Sequence, residues 1–171
     1  MESLFFLALV AIAAFVALIF FKGKAGSTKS SFRYAQRKQL LSPAEVSFYS
    51  VLCQAAGNEN TVLAKVRLAD VLTPQKGYQR SDWQKAFNRI SAKHFDFLLC
   101  EKSTLKPVLA IELDDSSHNN KKAKASDAVK NEACKTANLR LVRIKAQRTY
   151  SVSAIQQSLA NENFAHKGQD T

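Results

Sequence analysis

Cysteine is scarce in this chain and poorly spaced for chemistry. Cys53, Cys100 and Cys134 lie far apart, are odd in number and form no pair at metal-ligand spacing, which excludes a disulfide framework and a zinc site. In a reducing compartment they are expected to behave as small buried apolar side chains. Glycine is almost as sparse, at five residues, and there is no Gly-rich phosphate loop, no nucleophile elbow and no internal repeat. Acidic residues are also in short supply, 14 against 25 Lys and Arg, for a net charge of +11. Between Glu2 and Glu45 there is no acid at all, while Lys22, Lys24, Lys29, Arg33, Arg37 and Lys38 follow one another.

What precedes those cations is the opposite extreme. Leu4 to Phe21 is 18 residues without a polar side chain; as a helix it would extend roughly 27 Å, enough to span a bilayer. A cleaved signal peptide is the competing reading, but the run lacks a charged n-region and exceeds the usual h-region. The expectation is therefore one uncleaved transmembrane helix in residues 1–21. A basic juxtamembrane linker, 22–39, would hold a domain of residues 40–160 on the cytoplasmic side, with a polar tail at 161–171. In a bacterium this means a single-pass protein of the inner membrane. Linker cations suit anionic lipid head groups or a nucleic-acid backbone, and net charge alone does not choose between them.

With 171 residues there is room for one ordinary domain besides that appendage. Ser42, Pro43 and Glu45 form a capping-box signature for a helix over 43–56, with Val46, Tyr49, Leu52 and Cys53 at helical spacing. Val62, Ala64, Val66 and Leu68 alternate against Lys65 and Arg67, the pattern of a half-exposed strand. A short helix follows, capped by Ser81 or Asp82 and carrying Trp83, Phe87 and Ile90. Then come two apolar runs of hairpin spacing, 95–100 and 107–115, a Lys/Ala-rich helix over 121–137, a strand over 139–146 and a helix over 152–159. This order predicts a mixed α/β fold, a central mixed sheet flanked by helices.

The hairpin carries charge where strands usually do not. With its turn near Thr104, Asp96 falls opposite Glu112, and Asp114 shares the Glu112 face because strand residues two apart do. Three carboxylates would converge there unless the register slips by one or the acids simply face water. Opposed like charges are destabilising, which gives a cation a reason to be there. Asp96, Glu112 and Asp114 offer only oxygen, with no cysteine and a single nearby imidazole, His118, so Mg²⁺ is the expected ion and Mn²⁺ its substitute.

The segments "FDFLLC", "AIELDDSSH" and "DAVKNEACKTANLRLVRI" together resemble the PD-(D/E)XK nuclease superfamily, specifically the bacterial family called domain of unknown function 2726, over about Leu40 to Leu159. The resemblance implies a restriction-endonuclease-like αβββαβ core and metal-dependent hydrolysis of DNA. It matches Asp96 to the first metal-binding acid and Glu112 to the second. The pattern's lysine, two residues after the second acid, is here Asp114. Lys130 in "DAVKN" resembles a relocated lysine, which Asp127 could orient from three residues earlier; a solvated helix lysine is the alternative. His118 resembles the histidine that related families place after the acidic strand, suited to proton transfer or phosphate contact, or it is an ordinary turn residue. Glu45 resembles a first-helix glutamate that sometimes joins the metal site, although its capping role already explains it. A different class of reading keeps the fold and drops catalysis, as an inactive nucleic-acid-binding or membrane scaffolding module.

Overall fold

The computed structural model describes Ile12, Phe15, residues 32–114 and residues 121–161. The chain divides into two units, Met1–Lys38 and Gln39–Thr171. In the first, residues 32–38 are exposed and without helix or strand. Among the described residues no helix is long and apolar enough to cross a membrane. The apolar run expected to do so lies outside the described residues apart from Ile12 and Phe15.

The second unit begins with α1, Pro43–Ala55, whose first turn forms the predicted capping box: Glu45 N–H donates to Ser42 Oγ, and Ser42 N–H to Glu45 Oε2. Beyond Ala56 the chain leaves the helix through Gly57, at φ 71°, a conformation that glycine adopts without a Cβ penalty. The buried stripe of α1 is Phe48, Leu52 and Ala55. The expected face was wrong at its ends, since Val46 and Cys53 are exposed.

Strand β1, Asn60–Arg67, stops before Leu68, which opens the four-residue helix α2, Leu68–Val71, and is fully buried there. Helix α3, Arg80–Ser91, starts ahead of both expected caps. Its N-cap is Gln79, with no side-chain cap bond, so neither Ser81 nor Asp82 fills that role. β2, His94–Glu101, and β3, Pro107–Asp114, form the predicted hairpin. α4, Lys121–Thr136, carries the chain over to β4, Arg140–Lys145, and α5, Val152–Asn161, closes the unit.

The sheet order is β1-β2-β3-β4, antiparallel through the first three strands and parallel between β3 and β4. A parallel pair requires a long crossover, which α4 supplies. Both sheet faces are apolar and both are covered. Phe97, Leu99, Leu109, Ile111 and Val142 pack with Phe48, Leu52 and Ile155 of α1 and α5. Leu98, Cys100 and Ala110 pack with Leu68, Leu72, Ile90 and Cys134 of the other helices. Cys100 and Cys134 are thus the small buried apolar residues expected, while Cys53 is not.

Candidate functional site

The site is built from strand register. The β2–β3 pairs Phe97↔Ile111, Leu98↔Ala110 and Leu99↔Leu109, continued one step, bring Asp96 opposite Glu112 as the sequence predicts. On the other side of β2, Ala64↔Phe97 and Val66↔Phe95 bracket Lys65, which therefore stands across from Asp96. On the other side of β3, Glu112 pairs with Arg143 of β4. One row thus crosses all four strands as Lys65, Asp96, Glu112, Arg143, two central acids flanked by two cations. Adjacent strands in such a row lie ~4.8 Å apart.

Each central acid has its own lysine. Lys65 Nζ donates to Asp96 Oδ1 at 2.9 Å and to Glu45 Oε1 at 2.5 Å, joining α1, β1 and β2. The other Asp96 oxygen accepts the Leu113 N–H at 3.1 Å. Glu45 consequently does two things at once, capping α1 and pairing with the cation of the acid row. Burial works against the charged form of Glu45, yet the hydrogen bonds from Lys65 and Ser42 hold its carboxyl below the usual range. Lys65 is raised in the same way, burial being outweighed by Glu45 and Asp96. Its backbone is unusual for a strand interior, with φ 54°; for a residue with a Cβ this costs about 1–2 kcal/mol.

Glu112 is the one buried charged residue in the described core. Its side chain is 6% exposed, and Lys130, at 12%, reaches down from α4 to donate to Oε2 at 2.6 Å. Lys130 is therefore not a solvated helix lysine. Burial pushes the Glu112 carboxyl up to about 7, and the neighbouring Asp96 charge adds to that, against the pull of Lys130 and Arg143. Oε1 of Glu112 is buried without a hydrogen-bond partner among the described residues. Unpaired buried oxygens are rare and costly enough to require an explanation.

Asp114 stands apart from this pair. It is 46% exposed and accepts from Arg143 Nη1 at 2.8 Å, so the expected convergence of three carboxylates is not what the structure brings together. The expected role of Asp127 also changes, because it accepts from Arg143 Nη2 at 3.3 Å rather than orienting Lys130. Asn131 Oδ1 accepts from the same nitrogen at 3.2 Å. His118, with Asp115, lies outside the described residues. Among the described residues no three of His, Cys, Asp and Glu are grouped to hold a metal ion. A cavity of about 260 Å³ between the α2–α3 connection and α4, bordered by Tyr78, Arg89 and Glu132, includes none of these acids.

Lys65 and Arg143 are the members that sequence reasoning misses. Lys65 reads as the solvent side of an alternating strand, and 26 residues separate β1 from β2, so no turn reveals their register. Arg143 is hidden for the same reason by the crossover through α4.

A family model described as "Protein of unknown function (DUF2726)" matches residues 37–162. No curated protein and no solved structure matches the chain.

Proposed function

The chain belongs to the family described as "Protein of unknown function (DUF2726)", and on that footing we propose that its folded domain is a PD-(D/E)XK-like, Mg²⁺-dependent nuclease acting on DNA. The order α1, β1, β2, β3, α4, β4 follows the αβββαβ core of that superfamily, with α2 and α3 inserted. The observation that carries the reading is Glu112. It is a buried carboxylate opposite Asp96, with one oxygen neutralised by Lys130 and the other without a hydrogen-bond donor among the described residues.

Those residues fit a divalent cation. Mg²⁺ commonly takes only one or two carboxylates, filling its remaining positions with water and substrate phosphate oxygens, so Asp96 and Glu112 suffice without a third acid. Such an ion, when bound, lowers the pKa of a water and neutralises phosphate charge. Lys130 keeps the buried Glu112 able to ionise, and the Leu113 amide and Lys65 fix the Asp96 carboxylate. Asp114 and Arg143 brace the end of β3 where Glu112 sits. His118 belongs to the same reading as a group for phosphate contact. The run of residues 4–21 and the cations after it support a single-pass inner-membrane protein with this domain in the cytoplasm.

One observation favours the inactive, binding-only reading: Asp96 and Glu112 each already have a lysine, so the site is charge-compensated without a metal. The two separate on supercoiled plasmid. The full-length chain in mild detergent should nick it with Mg²⁺ or Mn²⁺, stop with EDTA, and lose nicking in Glu112→Gln and Asp96→Asn with the circular dichroism spectrum unchanged. Retardation of DNA without any metal-dependent cleavage would select the binding module.

A further inference from the structure

We propose that Lys65 is the lysine that meets the scissile phosphate, a role that the superfamily pattern gives to the position held here by Asp114; the proposal rests on the nuclease reading above. Two lysines reach the acid row, and their surroundings differ. The charge of Lys130 is committed to Glu112. Its side chain is 12% exposed against a partner at 6%, and withdrawing it would leave a buried carboxylate uncompensated. Lys65 is 30% exposed, and its two partners, Glu45 and Asp96, are themselves only partly buried. An ammonium has three N–H donors. Two are directed to Glu45 and Asp96, and the third has no protein partner among the described residues.

The backbone points the same way. Ala64 and Val66 pair with β2 in register, yet Lys65 between them takes the left-handed conformation at φ 54°. Strained conformations of this kind persist where the surrounding structure holds them, and they concentrate at functional sites. Here the strained residue is the one β1 residue bonded to the acid row. Lys65 adjoins Asp96 on the side away from Glu112, one strand spacing of ~4.8 Å from its neighbour in the row. A phosphodiester lying over Asp96 and Glu112 therefore has Lys65 beside it.

In the hydrolysis itself, a water oxygen forms a bond to phosphorus while the bond to the leaving oxygen breaks and takes its electron pair with it. The water's proton passes to solvent, and the leaving oxygen gains one from solvent. The non-bridging oxygens carry the added negative charge between these events, and the Lys65 ammonium donates a hydrogen bond to one of them.

The test uses full-length chain in detergent, a short labelled duplex and saturating Mg²⁺, with kcat, KM and melting temperature measured for each variant. Lys65→Met should lower kcat by about 100-fold or more, the scale of losing one donor to a developing oxyanion, with KM near wild type. It should also lower the melting temperature, because Glu45 and Asp96 lose the cation they share. Lys65→Arg should keep the melting temperature near wild type and recover part of the loss in kcat, and added ethylammonium should restore turnover to Lys65→Ala, which a merely structural lysine would not show. Should Lys65→Met fail to fold, the Arg and Ala variants carry the same test. Wild-type kcat in Lys65→Met, or an Ala variant indifferent to amine, overturns the role of Lys65 and leaves the nuclease reading standing. Absence of cleavage by wild type in both Mg²⁺ and Mn²⁺ overturns the nuclease reading instead.

Discussion

At the scale of single residues, Glu112 decides how the metal-free molecule responds to pH. Its carboxyl ionises near 4.5 in an unfolded chain and is pushed up to about 7 in the folded one, chiefly by burial. Between those values the folded chain keeps a proton that the unfolded chain has released, so this group's contribution to stability is full below 4.5 and is lost as pH rises through 7. The contribution is on the order of 1–3 kcal/mol. Denaturant melts in EDTA should show Glu112→Gln gaining on wild type between pH 5 and pH 8, and an equal difference at both values would contradict the assignment. Asp96 and Glu112 were legible in the sequence because acids in apolar strands need partners and one short turn sets their register. Of their partners, Lys130 was singled out through the family resemblance and Lys65 was not, and for neither was the pairing with a particular acid legible. Lys65 and Lys130 reach the acids from elements whose placement depends on packing distant in sequence, and a lysine in a list of residues looks the same whether it is solvated or buried.

Among elements, Arg143 ties three together. Its guanidinium bonds Asp114 at the end of β3 and both Asp127 and Asn131 on one turn of α4, from its own position on β4. Lys130 lies on that same turn, so the arginine sets the register in which α4 delivers Lys130 to Glu112. Arg143→Met removes three bonds at once and should lower stability by about 1–2 kcal/mol net, read as a fall of roughly 3–8 °C in melting temperature. Arg143→Lys should recover little, because an ammonium lacks the planar fork that reaches both α4 and β3. A melting temperature unchanged by either substitution would mean the crossover helix is held by apolar packing alone. Element existence was readable from period and caps, as in the capping box of α1 and the β2–β3 hairpin. Element ends were less so. Leu68 continues the alternation of β1 by composition, yet it is buried as the first residue of α2, where a tertiary contact outweighs the local pattern.

For the whole molecule, charge is unevenly spread in a way that bears on where the domain works. Six of the 25 cations fall within residues 22–38, where there is no acid, and this stretch directly follows the apolar run. Lysine and arginine close to a membrane-spanning segment remain on the cytoplasmic side, a bias counted in positive residues rather than net charge. The proposed nuclease would then face the same compartment as chromosomal DNA. Of those cations, Arg33, Arg37 and Lys38 are exposed and outside any helix or strand, so their replacement leaves the packing of the domain untouched. A periplasm-dependent phosphatase fused after Thr171 should accordingly be inactive, and a fluorescent reporter at the same position active. Changing all six residues, Lys22, Lys24, Lys29, Arg33, Arg37 and Lys38, to Ser should raise phosphatase activity by allowing part of the population to insert in the opposite sense. A phosphatase fusion active on the unaltered chain would reverse the orientation. It would also separate the domain from chromosomal DNA, leaving imported nucleic acid as the substrate within reach.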